Sequence, residues 1–355
     1  MQTQYDEDLF FSPKDFLQRL QKDLSECKQN VDIEMYIWGD DKLTLEFEVG
    51  LIALVQRGVK VRLLVDAIGS YGWIYSRMKE VISAGIEVRV FHPIPGISRL
   101  LQMGPGWVKF FSFMNRRTHR KAIIIDRKIA YIGSFNFMLE ALEWRESIVR
   151  ITSFSVKSIQ VLFQDAWNYR PQIHNILCGA HYCAPKINDE YILDMQRSVE
   201  ILMNAKKRIW LTTSYFNPPR ILLKEMMLAA RRGVDVRLLL PKLSDISFLR
   251  WVAQQFYSRL YKATVKVYEY KPRNLHAKTA ILDDCAIVGS GNLNHRSFLK
   301  DLELNVILRR QPSLLQLEAQ FEQDLLESTL VDDKFVVSFW KRIVNFLVSP
   351  IKSSI

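Results

Sequence analysis

Apolar and polar positions along this chain fall into two successions of the same kind. Val31–Trp38 reads as a strand and Leu43–Gln56 as a helix. A strand follows in Arg57-Gly58-Val59-Lys60-Val61-Arg62-Leu63-Leu64, and another in Ile86–Val90. The second half repeats the order: strand Ile209–Tyr215, helix Ile221–Arg231, then Arg232-Gly233-Val234-Asp235-Val236-Arg237-Leu238-Leu239, then Val265–Glu269. Two short apolar runs, Ala122–Ile125 and Thr279–Leu282, read as buried strands, with Gly133 and Gly289 beyond them as tight turns. Alternation at this spacing predicts an α/β fold made of two repeated domains. Two such halves pack face to face about a pseudo-twofold axis, and a shared site lies at their junction.

The expected boundaries are a first half over 1–154 with an insertion at 94–118, a connection over 155–187, and a second half over 188–330. An amphipathic C-terminal segment covers 331–355. Within the connection, Ile159–Trp167 has a helical pattern. At 355 residues the chain holds two α/β cores.

A net charge of +11 suits an anionic partner, either acidic lipid headgroups or nucleic acid. Distribution bears on the choice. Pro93 and His119 stand 26 positions apart, whereas Pro272 and His276 stand four apart. The extra stretch carries Leu100, Leu101, Met103, Trp107, Phe110, Phe111, Phe113 and Met114 among Arg99, Lys109, Arg116 and Arg117, a composition suited to a bilayer interface or to a lid on the domain itself. In Phe335–Val348 an apolar stripe (Val336, Phe339, Trp340, Ile343, Phe346, Leu347) opposes Lys341 and Arg342; the segment is too short and charged to span a bilayer. Met1 to Pro13 is polar and acidic and makes no secretory signal, so the expectation is a peripheral protein on the cytoplasmic membrane face. Cys27, Cys178, Cys183 and Cys285 form no disulfide framework, and the spacing of His174, Cys178, His181 and Cys183 matches no standard zinc site.

The chemistry lies in a duplicated motif. His119 and Lys121 are followed by Asp126, and His276 and Lys278 by Asp283. Gly133-Ser134 and Asn136 come next in the first copy, Gly289-Ser290 and Asn292 in the second. Glu146 and Glu303 each stand 27 residues after their histidine. A phosphodiester is shielded by its anionic oxygens, so a catalyst must neutralise charge and supply a nucleophile. Neutral imidazole attacks phosphorus to give a phosphohistidine, and a second imidazole supplies the leaving group's proton. Lys121 and Lys278 are expected to hold the non-bridging oxygens, with Ser134, Asn136, Ser290 and Asn292 as phosphate-binding partners. Glu146 and Glu303 are the candidates to fix one ring nitrogen of each histidine, with Glu143 and Asp301 as competitors.

These motifs, with Met35-Tyr36-Ile37-Trp38, Asn115-Arg116-Arg117-Thr118 and Gly289-Ser290-Gly291-Asn292-Leu293-Asn294, resemble the phospholipase D superfamily, and within it the short bacterial cardiolipin synthases. The resemblance implies phosphatidyl transfer through a covalent phosphohistidine, with no metal and no cofactor. In that family the motif's aspartate is structural, which gives Asp126 and Asp283 a supporting place in the candidate catalytic set.

Three functions follow as expectations. The leading one is a phosphatidyltransferase that makes cardiolipin from phosphatidylglycerol and a second phospholipid at a membrane surface. A hydrolase or nuclease of the same superfamily is the second, although neither the aromatic insertion nor the amphipathic tail serves DNA binding. An inactive membrane-binding scaffold is the third, and the intact motif residues argue against it. Oligomeric state is not legible in the sequence.

Overall fold

A computed structural model describes residues 6–94, 116–152, 155–169, 192–193 and 195–332. Most of the aromatic insertion, the His174–Cys183 cluster and the C-terminal amphipathic stripe lie outside the described residues.

The first sheet is built from β1 (Glu7–Phe10), β2 (Asn30–Met35), β3 (Lys60–Asp66), β4 (Glu87–Phe91), β5 (Ala122–Ile125), β6 (Ile129–Gly133) and β7 (Ile148–Ile151), in the order β1-β7-β6-β5-β2-β3-β4. The later strands are β8 (Ile192–Leu193), β9 (Arg208–Thr212), β10 (Phe216–Asn217), β11 (Asp235–Pro241), β12 (Lys266–Tyr270), β13 (Thr279–Leu282), β14 (Cys285–Gly289), β15 (Leu293–Asn294), β16 (Asn305–Leu308) and β17 (Ser328–Leu330). Their main sheet runs β17-β12-β11-β9-β13-β14-β16-β8, the same order with β17 added at one edge. In each sheet three strands are parallel (β2, β3, β4 and β9, β11, β12), and an antiparallel meander continues from the first of them.

The repeated Arg-Gly has a local cause. Helices Lys42–Gln56 and Arg220–Arg231 end at Arg57 and Arg232, and the next residues, Gly58 and Gly233, take φ of 84° and 93°. Only glycine enters that left-handed region without strain, so it stops the helix and turns the chain into β3 or β11. At the other end of the first helix, the Asp41 carboxylate accepts the Thr44 N–H at 3.1 Å and caps it.

Gly133 and Gly289 serve a different need from the expected turns. Each ends a strand with no positive φ, and a Cβ on Gly133 would stand 2.3 Å from the Ser147 carbonyl oxygen. On Gly289 it would stand 2.4 Å from the Leu304 oxygen. These glycines let the next strand pass at backbone contact, and that strand begins two residues after Glu146 or Glu303.

Among the described residues three buried clusters form the core. Each sheet packs its outer face on its own helices, as in Phe16, Leu20, Leu51 and Leu54 for the first. The third cluster joins the inner faces of both sheets, from Ile124, Ile132 and Val149 to Ile281, Val288 and Val306, with helices Ser155–Asn168 and Gln311–Leu326 contributing. The helical pattern at Ile159–Trp167 thus belongs to this shared core: Phe163 and Trp167 are buried there, and Arg62 lies over both rings. No helix among the described residues is long and apolar enough to cross a membrane.

The close approach at Gly133 gives a direct expectation. Gly133→Ala should destabilise the fold by about 1–3 kcal/mol, because the atoms it meets are backbone and cannot rotate away. Gly50→Ala, inside helix Lys42–Gln56 with nothing within 4 Å of the new methyl, should instead stabilise by about 1 kcal/mol. Urea-unfolding midpoints of the two variants should move in opposite directions.

Candidate active site

The strands that carry the motif histidines begin by pairing with the opposite half. Thr118 bridges to Leu302 and Leu275 to Arg145, both in parallel sense. The His119 N–H donates to the Leu302 carbonyl at 2.9 Å, and the Leu302 N–H to the Arg117 carbonyl at 2.9 Å. In the other copy the His276 N–H donates to the Arg145 carbonyl and the Arg145 N–H to the Asn274 carbonyl, each at 2.8 Å. Every histidine therefore lies beside the glutamate segment of the other half.

The side chains follow the backbone. His119 Nδ1 is 3.1 Å from both carboxylate oxygens of Glu303, and His276 Nδ1 is 2.8 and 3.1 Å from those of Glu146. A ring nitrogen facing a carboxylate carries the proton, which leaves Nε2 with the lone pair. The two competing acids are placed elsewhere: Glu143 is exposed, and Asp301 pairs with Arg296 at 2.9 Å.

Burial governs the charges. It lowers the affinity of both imidazoles for a proton, with the nearby lysines acting in the same sense and the glutamates opposing. Burial also acts to raise Glu146 and Glu303, but the facing histidines, the lysines and a serine hydroxyl on each outweigh it, so both stay ionised below the usual carboxylate range. Lys121 is pushed down to about 7, by burial first and then by the charge of Lys278. Lys278 is pushed down to about 8 by burial. Two crowded lysines, each with its proton held less tightly than usual, thus stand behind two imidazoles whose burial favours the neutral form.

Each lysine is 3% exposed and donates to the carbonyl of its own motif histidine, Lys121 at 2.8 Å and Lys278 at 2.6 Å. Lys278 also donates to Ser214 Oγ at 2.9 Å, while Lys121 stands 5.2 Å from the Tyr36 ring centre. An ammonium has three N–H donors, so neither lysine is saturated by these partners.

The serines expected on phosphate are placed differently. Ser134 and Ser290 are fully buried, and their hydroxyls donate to Glu146 and to Glu303. Each also accepts a backbone N–H, from Ser147 and Leu304, so their hydrogen-bonding capacity is used inside the protein. Asn136 and Asn292 do line the cleft, and the Asn136 Oδ1 has no partner among the described residues. Asp126 and Asp283 face away from it. Each has positive φ, 51° and 47°, and accepts three successive backbone N–H groups: Lys28, Gln29 and Asn30 for Asp126, and Lys206, Lys207 and Arg208 for Asp283. Partial burial acts to raise these carboxyls, but the amides outweigh it and hold them low. They tie the β5–β6 and β13–β14 hairpins to the starts of β2 and β9.

Both histidines open into one cleft of about 450 Å³. Its wall includes residues that the motif did not mark. The ring centres of Tyr36 and Trp144 lie 4.9 Å from those of His119 and His276 respectively. Arg117 holds Asp66 through short bonds to both oxygens, and Thr118 donates to buried Glu34, fixing the strand that presents His119. No group of three metal-ligating side chains occurs among the described residues.

Comparison with known proteins agrees with this arrangement. Residues 20–167 and 199–325 match the family described as "Cardiolipin synthase, PLD-like domain". A cardiolipin synthase of Clostridium perfringens (strain SM101) is 29% identical over 382 residues, covering 98% of this chain and 77% of the relative. The major cardiolipin synthase ClsA of Bacillus subtilis is 30% identical over 371 residues, covering 97% and 75%. Among solved structures, phosphatidylserine synthase of Haemophilus influenzae shares the fold with a TM-score of 0.71 at 13% identity, over 98% of this chain and 94% of that one. With the family matched over both halves, the chain belongs to the cardiolipin synthase-like branch of the phospholipase D superfamily and is an enzyme, a phosphatidyltransferase.

Proposed function

We propose that this enzyme makes cardiolipin from phosphatidylglycerol and a second phospholipid through a phosphatidyl-histidine intermediate, at the cytoplasmic face of a membrane. One observation carries the reading: two histidines in one cleft, each with Nδ1 held by a buried glutamate from the opposite half. The names of the curated relatives support the product.

In the first step His119 Nε2 forms a bond to the donor phosphorus, and the bond from phosphorus to the glycerol oxygen breaks. His276 gives its proton to that oxygen. In the second step a hydroxyl of the acceptor lipid attacks phosphorus, returns its proton to His276, and the nitrogen–phosphorus bond breaks. Lys121, Lys278, Asn136 and Asn292 bind the non-bridging oxygens as charge builds on them. Burial first, and then the lysines' charge, keeps the imidazoles neutral; the phosphodiester's own negative charge opposes both, so one of them carries a proton once substrate is bound. Asp126 and Asp283 support the hairpins that carry the motif.

Incubation with acyl-labelled phosphatidylglycerol in anionic liposomes, with products separated by mass, tests the reaction. Cardiolipin and free glycerol are expected, and His119→Ala and His276→Ala should each lose about 10⁴-fold or more in turnover. Enzyme quenched with denaturant at alkaline pH should carry a phosphatidyl adduct on His119; an adduct on His276 would reverse the two roles. Phosphatidic acid alone would mean a hydrolase.

The lysines set a pH dependence. Both ammoniums are present below about pH 7 and are lost as the pH rises through about 7 to 8. Because an anionic substrate binds the charged forms, kcat/KM should fall across that interval. The profile of kcat should hold to higher pH, since bound phosphodiester stabilises the ammoniums. Superimposable alkaline limbs would contradict this account of the lysines.

A further inference from the structure

The repeat makes the two half-sites alike, but the cleft wall is unequal. In register, Ile209 on β9 and Val31 on β2 both face the last residue of the adjoining hairpin strand, Leu282 and Ile125. Counting on from that pair, Phe216 matches Trp38, and their parallel partners Leu293 and Phe137 each follow the motif's asparagine. Tyr215 therefore takes the place of Ile37, and both line the cleft. The turn after β11 brings in Asp245, whereas the matching turn after β3, residues 67–70, carries Ala67, Ile68, Gly69 and Ser70 and no carboxylate.

Tyr215 and Asp245 act together. The Tyr215 phenol donates to Asp245 Oδ2 at 2.5 Å, and among the described residues the other oxygen accepts only the neighbouring Ser244 hydroxyl, at 3.3 Å. Asp245 is exposed, and among the described residues no cation lies at ion-pair distance from it. The cleft's other carboxylate, Asp301, is tied to Arg296. The pair stands on the His276 side: Ser214, next to Tyr215, accepts from Lys278, which in turn donates to the His276 carbonyl. A carboxylate with no cation at ion-pair distance among the described residues, at the mouth of a cleft that takes an anion, repels the phosphate unless the ligand brings it hydrogen-bond donors. An ionised carboxylate only accepts, and hydroxyl groups only there gain from it.

We propose that Asp245, oriented by Tyr215, is a specificity residue that binds the vicinal hydroxyls of a glycerol headgroup beside His276. This rests on the proposed function, in which the leaving glycerol and the incoming glycerol hydroxyl both pass through His276. One polyol subsite then serves both half-reactions.

Full-length enzyme with dispersed phosphatidylglycerol, offered deuterated glycerol, propan-1-ol and ethanolamine in competition, provides the test. Mass separates the resulting phosphatidyl alcohols, and phosphatidic acid reports the reaction with water. Wild type should prefer glycerol to propan-1-ol about tenfold or more, and Asp245→Asn should remove most of that preference, read as the ratio of the two phosphatidyl alcohols so that any slower release of the donor's own glycerol cancels. Tyr215→Phe, which keeps the carboxylate and loses its phenol partner, should lower the preference in the same direction by a smaller factor. An unchanged glycerol-to-propanol ratio in Asp245→Asn would overturn the proposal. So would selective loss of ethanolamine, which would mark an ammonium site. If wild type forms no phosphatidyl alcohol at all, the failure lies with the proposed function itself.

Discussion

Five backbone hydrogen bonds between the halves, among the described residues, set the terms for everything at this site. They lay the start of each histidine strand along the glutamate segment of the opposite half, so each imidazole meets a carboxylate that its own half does not supply. The rest serves that exchange. Gly133 and Gly289 let β7 and β16 come to backbone contact, and the serines beside them lock the glutamates. The core shared by the two inner sheet faces keeps the halves in register.

The electrostatics follow from how closed the site is. Two lysines and two glutamates nearly cancel, but they do so in separate layers: the carboxylates hold the Nδ1 sides of the rings, and the ammoniums donate from beneath to the histidine carbonyls. Such fixed donors lose little on reorganising when charge builds on phosphorus, which is where preorganised sites outperform water. Buried cations that repel one another are costly to hold, and an anion placed beside them lowers that cost.

Much of the fold was legible because its signals are local. The paired strand runs, the two helices and the Arg-Gly stops each depend on a few neighbouring residues, and the observed strands β2, β3, β9 and β11 lie where the pattern placed them. The candidate residues were legible because they recur. Their partners were not. A spacing of 27 residues fits a glutamate serving its own histidine as well as the opposite one, and only the tertiary pairing decides. Glycine before serine suggests a turn, whereas here it meets a neighbouring strand that no local pattern announces. The same serine gives no sign that it faces a carboxylate. Trp144, Tyr215 and Asp245 reach the cleft from loops outside the motif, at positions where the two halves differ, so the repeat that revealed the site also hid them.

The exchange also orders events during synthesis. Glu303 lies 184 residues beyond His119, so a growing chain displays its first histidine long before the carboxylate that fixes it has been made. The second histidine meets the reverse order, since Glu146 precedes His276 by 130 residues and waits for it. Any fragment that stops short of Glu303 holds at most one oriented imidazole. The two-histidine site is thus complete only after Glu303 has been made and both halves have folded against each other.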